Sequence, residues 1–252
     1  MTTRTELTAA LEALLQPDRF KDYCPNGLQV EGRMPVRKLV SGVTASLALI
    51  EAAIAANADA ILVHHGLFWR GHDGRVTGWM KRRLQAVLAA DINLYAYHLP
   101  LDAHPTLGNN AQLGLQMGWH PVEGDAGSFG EQALGRLGTA AYANGEAMVQ
   151  HLNAVLKRPI TAVLTSSLAI KKVAWCTGGA QAYFEAAIAA GADAFVTGEI
   201  SESQTHLARE MGVSYLACGH HATESFGAPA VGAHIAQALG LTHEFINIDN
   251  PA

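Results

Sequence analysis

Six of the chain's twelve histidines fall in three short segments: His64-His65, His98 with His104, and His220-His221. Asp102 follows His98 by four residues, and Glu224 follows His220 by four. Imidazole and carboxylate together suit Zn, Mn or Fe, whereas an all-oxygen Mg or Ca site has no use for so many histidines. A lone histidine at a strand end is more often hydrogen-bonded or surface-exposed than a ligand. Here two His-His pairs and two carboxylates recur at corresponding places, which favours a metal site. Successive side chains on a strand point to opposite faces, so His64 and His65 cannot both grip one ion from a regular strand. If the chain turns at Gly66, they can serve two neighbouring ions or one ion from two sides. Asp102 can bridge two cations and Glu224 can complete a shell, a pattern that favours two ions roughly 3.5–4 Å apart. The favoured ligands are therefore His64, His65, Asp102, His220 and Glu224.

The neighbouring residues have supporting readings. His98 and His221 read as proton carriers or as groups standing behind the ligands. His104 is at best a residue of the site's mouth. His72, His120, His151, His206, His234 and His243 read as solvent-exposed. Trp69 and Tyr97 flank the ligands and could stack a flat substrate ring, while Phe68 reads as core. Thr177-Gly178-Gly179 is either a backbone cradle for an anion or a tight turn.

Such residues need a scaffold that brings strand ends together, and the chain repeats itself in a way that supplies one. Residues 51–60 and 185–194 are identical at nine of ten positions. Each is preceded by an apolar run ending in Thr (residues 38–44 and 172–177) and followed by a short apolar run (61–63 and 195–197). The pattern predicts strand, helix, strand in both places. Further helices are expected over 78–90 and 202–211, further strands over 93–97 and 214–218, and another helix after each. Apolar strands between helices indicate parallel-rich sheets covered by helices. The expected fold class is α/β with two duplicated halves, residues 1–122 and 123–252. In such folds ligands bind beyond the carboxyl ends of the strands, which places the metal site at strand ends between the halves.

Composition narrows the setting. At 252 residues and 49% hydrophobic, the chain is long enough to bury a core without a disulfide or metal staple. Cys24, Cys176 and Cys218 form no C-x-x-C pair, which fits a reducing compartment and a cytoplasmic location. The first sixteen residues read as an amphipathic helix rather than a signal peptide. No stretch of 18 uncharged apolar residues exists, so no membrane span is expected. Net charge −5 and the lack of basic–aromatic interleaving argue against nucleic acid as a partner.

The residues that carry the metal argument also carry a resemblance. Leu62-Val-His-His-Gly66, Tyr97-His-Leu-Pro-Leu-Asp-Ala103 with Gly108-Asn-Asn110, and Gly219-His-His-Ala-Thr-Glu224 resemble motifs of the Nif-three-like dinuclear metal centre family. The likeness is to its short bacterial, YbgI-type branch, and residues 22–32 look like that family's N-terminal signature. The resemblance implies a duplicated α/β fold and a toroidal homohexamer. It also implies two divalent ions per subunit, held by His64, His65, Asp102, His220 and Glu224. Some members carry the name GTP cyclohydrolase 1 type 2 homologue, which implies a metal-dependent hydrolase using a metal-activated water on a small-molecule substrate. No Walker-type loop for a triphosphate is present. The alternative is non-enzymatic metal storage, delivery or sensing by a ring oligomer.

Overall fold

The computed structural model describes residues 2–252. The chain opens with α1 (Arg4–Leu15), capped by Thr3, whose side chain accepts from the Glu6 N–H while Glu6 reaches back to the Thr3 N–H. This is a capping box. Then come β1 (Gly27–Val30), β2 (Lys38–Thr44), α2 (Leu47–Ala55), β3 (Ala60–His65), α3 (Gly78–Ala89), β4 (Asn93–Ala96) and α4 (Leu99–Ala103). The middle of the chain forms α5 (Asn109–Gln116), β5 (His120–Pro121), β6 (Ser128–Phe129), β7 (Gly135–Tyr142), α6 (Gly145–Leu156) and β8 (Thr161–Val163). It continues through β9 (Ile170–Trp175), α7 (Phe184–Ala189), β10 (Ala194–Thr197), α8 (Glu202–Met211), β11 (Ser214–Ala217) and α9 (His220–Thr223). The last two elements are α10 (Gly227–Leu239) and β12 (Thr242–Phe245).

The first compact unit comprises residues 1–108 with 225–249, and the second comprises 109–224 with 250–252. The first unit's sheet has the order β1-β4-β3-β2-β12, parallel except for β1. Alternate residues of β3 separate its two layers. Ala60 and Leu62 pack with Leu7, Leu11 and Leu15 of α1 and with Val231 and Ile235 of α10. Ile61 and Val63 pack with Leu49 and Ile50 of α2 and with Val87 of α3. Both faces are therefore buried, as a parallel sheet requires.

The second unit's sheet has the order β5-β7-β9-β10-β11-β8, with β9, β10 and β11 parallel. Its strand–helix succession β9-α7-β10-α8-β11-α9 repeats β2-α2-β3-α3-β4-α4. The repeat extends to single hydrogen bonds. Asp59 Oδ2 accepts the N–H groups of Arg37 and Lys38, and Asp193 Oδ2 accepts those of Lys171 and Lys172. The one difference between the two ten-residue segments is Asn57 against Gly191, at φ 55° and φ 76°. Both leave a helix through a left-handed position, which those two residue types tolerate best.

The expected single boundary at 122/123 does not coincide with these units. Residues 109–122 belong with the second. Residues 225–249 return to the first because α10 covers its inner face and β12 pairs in parallel with β2. His243, read from sequence as exposed, lies on β12, where its Nε2 is 2.8 Å from Ser41 Oγ. His151, also read as exposed, is half-buried against Tyr142.

Candidate metal centre

In the first unit, β3 runs through both histidines, and Thr44 of β2 pairs with His65. His64 is fully buried. Its Nδ1 is 3.2 Å from the Tyr97 carbonyl, which can only accept, so the proton sits on Nδ1 and the lone pair on Nε2. That Nε2 is 3.5 Å from Asp102 Oδ1, too long for a good hydrogen bond but suited to two ligands of one ion. His65 has Nδ1 3.2 Å from Thr44 Oγ1. Although they leave the strand on opposite faces, the two rings converge to 4.5 Å. Coordinating atoms of His64, His65 and His98 all lie within 4.8 Å of one another.

His98 is held by a residue that sequence reading does not assign. Asp22 Oδ1 accepts from its Nδ1 at 2.7 Å, and Asp22 Oδ2 accepts from the Leu99 N–H and the Asn26 amide. Burial alone would raise the Asp22 carboxyl, but the hydrogen bond and charge of His98, with the Asn26 and Leu99 donors, hold it at about 2. A carboxyl depressed from its ordinary value near 3.8 contributes stability that is complete above that value and lost as pH falls through about 2. Asp22→Asn should therefore cost about 2 kcal/mol at neutral pH and flatten the rise in stability between roughly pH 2 and 4. Urea unfolding across that range tests it, and a variant with the wild-type profile would refute it.

In the second unit, the candidate ligands stand at the ends of β10 and β11. His220 Nδ1 is 2.7 Å from Glu199 Oε1, and its Nε2 is 3.2 Å from Glu224 Oε2. The four-residue spacing across α9 brings His220 and Glu224 to one side of a helical turn. Burial would lower the His220 pKa, but the hydrogen bonds and charges of Glu224 and Glu199 outweigh it and raise it to about 9. Thr223 Oγ1 accepts the Gly178 N–H, and Asn110 Oδ1 accepts the Thr177 N–H. Those two N–H groups are therefore engaged internally, and the tight-turn reading of 177–179 holds over the anion cradle.

Gly178 has φ 72°, and a Cβ there would overlap Glu224 Oε1 and come 3.1 Å from His220 Nε2. Gly178→Ala should weaken metal binding at least tenfold, because left-handed backbone costs about 1–2 kcal/mol and the methyl displaces the Glu224 carboxylate, a candidate ligand. Calorimetric titration with Zn²⁺ checks this, and an unchanged Kd would contradict it.

The remaining residues singled out from sequence separate clearly. His221 is half-buried, and its N–H donates to the Ala252 carbonyl. Trp69 is half-buried, with its ring 5.8 Å from His65 and 5.0 Å from His98. Tyr97 is wholly buried in the first unit's core and reaches the site through its carbonyl rather than its ring. His104, expected at the mouth, instead accepts backbone N–H groups of Thr106 and Leu107 with Nδ1. Glu199 is visible in the sequence at a strand end, but only the structure shows it orienting His220.

These donor sets fit divalent metal. In His64 and His98 an acceptor fixes the proton on Nδ1, the arrangement metal-ligating histidines use, while His220 has a carboxylate on each ring nitrogen. No helix of the described residues is long and apolar enough to cross a membrane.

Residues 2–251 match the Duf34/NIF3 (NGG1p interacting factor 3) family. A GTP cyclohydrolase 1 type 2 homolog of Allochromatium vinosum is 50% identical over 252 residues, covering 100% of this chain and 98% of that protein. One from Pseudomonas aeruginosa is 48% identical over 248 residues, covering 98% and 97%. Among solved structures, protein ybgI, described as of unknown function, matches with TM-score 0.94 and 42% identity over 100% of both chains. A protein from Thermus thermophilus matches at TM-score 0.85 and 32% identity, also over 100% of both. With a repeated α/β order and a family match over residues 2–251, this chain belongs to the Duf34/NIF3 family.

Proposed function

We propose that the protein is a metal-dependent hydrolase holding two divalent ions per subunit through His64, His65, Asp102, His220 and Glu224. The observation that carries this reading is that His64 and His220 each have Nδ1 on an acceptor and Nε2 beside a carboxylate, 3.5 Å from Asp102 and 3.2 Å from Glu224. When bound, ions such as Zn, Mn or Fe would supply Lewis acidity and a water acidified towards neutrality, suited to C8 of guanine or to a phosphoester.

The chain's own residues supply the rest. Asp22 holds His98 with its Nε2 lone pair available, so His98 can take a proton and return it. His221, beside the ligand His220, is the second candidate proton carrier. Trp69, half-buried with its ring 5.0 Å from His98, can pack against a flat base. The names of the relatives support a guanine nucleotide as substrate. The family resemblance supports a homohexamer, and three thiols outside any disulfide support a cytoplasmic setting.

The experiment is element analysis of freshly purified protein followed by assay of formate release from GTP and turnover of a phosphoester panel. Two equivalents of metal and turnover of either class are expected. Failure on all substrates with Mn, Zn or Fe restored would remove the hydrolase. The second reading, metal storage or delivery, is favoured by the internally engaged Thr177 and Gly178 N–H groups, which leave that turn no phosphate cradle. Rapid metal exchange would support it.

A further inference from the structure

A second group of metal-type ligands lies outside the five residues proposed for the dinuclear site. We propose that Asp22, Cys24 and His98 form a separate cation site, selective for a borderline or soft divalent metal such as Zn²⁺ or Co²⁺. Coordinating atoms of the three residues lie within 4.8 Å of one another. All three are largely sheltered: the Asp22 and His98 side chains are 4% and 15% exposed, and Cys24 is 8% exposed. Asp22 and Cys24 line a cleft of about 670 Å³ that also carries Glu12, Asp18 and Asn26. The cleft thus presents two further carboxylates to an arriving cation, with Arg19 as its one opposing charge among the lining residues.

The carboxylate is already oriented. Its Oδ2 is fixed by the Leu99 N–H and the Asn26 amide, which leaves Oδ1 facing the His98 ring at 2.7 Å. A tetrahedral ion with bonds of about 2.1 Å to nitrogen and oxygen holds those atoms roughly 3.4 Å apart. A ring rotation of about an ångström or less at its edge therefore admits the ion. The thiol supplies selectivity, because thiolate prefers Zn²⁺, Co²⁺ or Fe²⁺ over Mg²⁺, Ca²⁺ or Mn²⁺. On binding, the Cys24 proton leaves to solvent, the His98 proton moves from Nδ1 to Nε2, and Asp22 stays ionised. Burial and Asp22 push the Cys24 thiol up to about 12, so it keeps its proton until a cation displaces it. His98 lies just past β4 much as His220 lies just past β11, one residue off in register, and each has Nδ1 on a carboxylate.

This site goes beyond the dinuclear reading and does not depend on it. The test is titration of chelator-stripped, full-length, reduced protein with Co²⁺, followed by near-ultraviolet absorption. The wild type should develop a thiolate-to-cobalt charge-transfer band whose final intensity corresponds to one cobalt–thiolate centre per chain. Cys24→Ser should lose the band and that centre, and Asp22→Asn should need at least tenfold more Co²⁺ to reach it. Asp102→Ala should keep the band, which separates failure of this site from failure of the dinuclear one. A fully loaded wild type with no band overturns the proposal whatever the variants do. So does a band that survives Cys24→Ser, or an Asp22→Asn titration identical to wild type.

Discussion

Asp102→Ala is expected to remove at least one of the two metal equivalents while leaving the fold intact. Asp102 is buried in the single turn of α4, with Oδ1 3.5 Å from His64 Nε2. Its carboxylate thus stands beside an imidazole whose lone pair faces the same space. Loss of such a ligand should exceed the roughly 10–100-fold that changes behind the ligands cost in affinity. The helix itself should survive, because its packing rests on Leu99 and Leu101, both buried. Metal-to-protein ratios by elemental analysis, with circular dichroism as the control for folding, decide the matter. Two full equivalents bound at wild-type affinity would end the ligand role.

Metal uptake at His220 should be coupled to proton release, and Glu199 should control the coupling. With its pKa raised to about 9 by Glu224 and Glu199, the metal-free imidazole carries a proton throughout the neutral range. An ion that takes Nε2 must expel it, so about one proton should leave from this residue near neutral pH. Apparent affinity should then rise about tenfold per pH unit until the imidazole's own pKa is reached. This competition begins well above the range of about pH 5–6 expected for an ordinary histidine. Glu199→Gln removes one of the two charges. It should lower the His220 pKa, reduce proton release and weaken metal binding about 10–100-fold through the lost orienting carboxylate. Calorimetry in buffers of different ionisation enthalpy measures both quantities. Equal proton release from wild type and Glu199→Gln would refute the assignment. The same charge pattern fixes how the metal-free protein responds to pH. The imidazolium's contribution to stability is complete below the ordinary value near 6.5 and is lost as pH rises through about 9.

The parallel strands and the candidate ligands at their ends are legible in the sequence because they rest on local pattern. Apolar runs, an Ala-rich helix and an Asp at the helix-to-strand turn recur in order, and His64, His65, Asp102, His220 and Glu224 sit at or just past the strand ends. Asp22 is not legible as a partner of His98, because 76 residues separate them and nothing in periodicity links a loop after α1 to the end of β4. Glu199 can be seen at its strand end, yet its role depends on a side-chain direction that only the fold sets. His104 and His243 depart from their expected places for the same reason: the backbone N–H groups that one accepts and the Ser41 hydroxyl beside the other are tertiary facts. The unit boundary escapes sequence reading because β12 joins β2 across the whole intervening chain, and long-range pairing leaves no local signature.

That pairing also sets a timetable. Thr242 lies beside Lys38 and Phe245 beside Ser41, so the unit begun first in synthesis cannot close until most of the second has been made. Until residues 227–245 leave the ribosome, the face of the first sheet that holds Leu39, Leu62 and Tyr97 has only α1 to cover it. The backbone carbonyl that orients His64 belongs to that unfinished layer. Loop closure over about two hundred residues adds little to the cost of joining the ends, but it delays the event until most of the second unit has been made. A growing chain would therefore hold His64 and His65 without their finished surroundings until α10 docks.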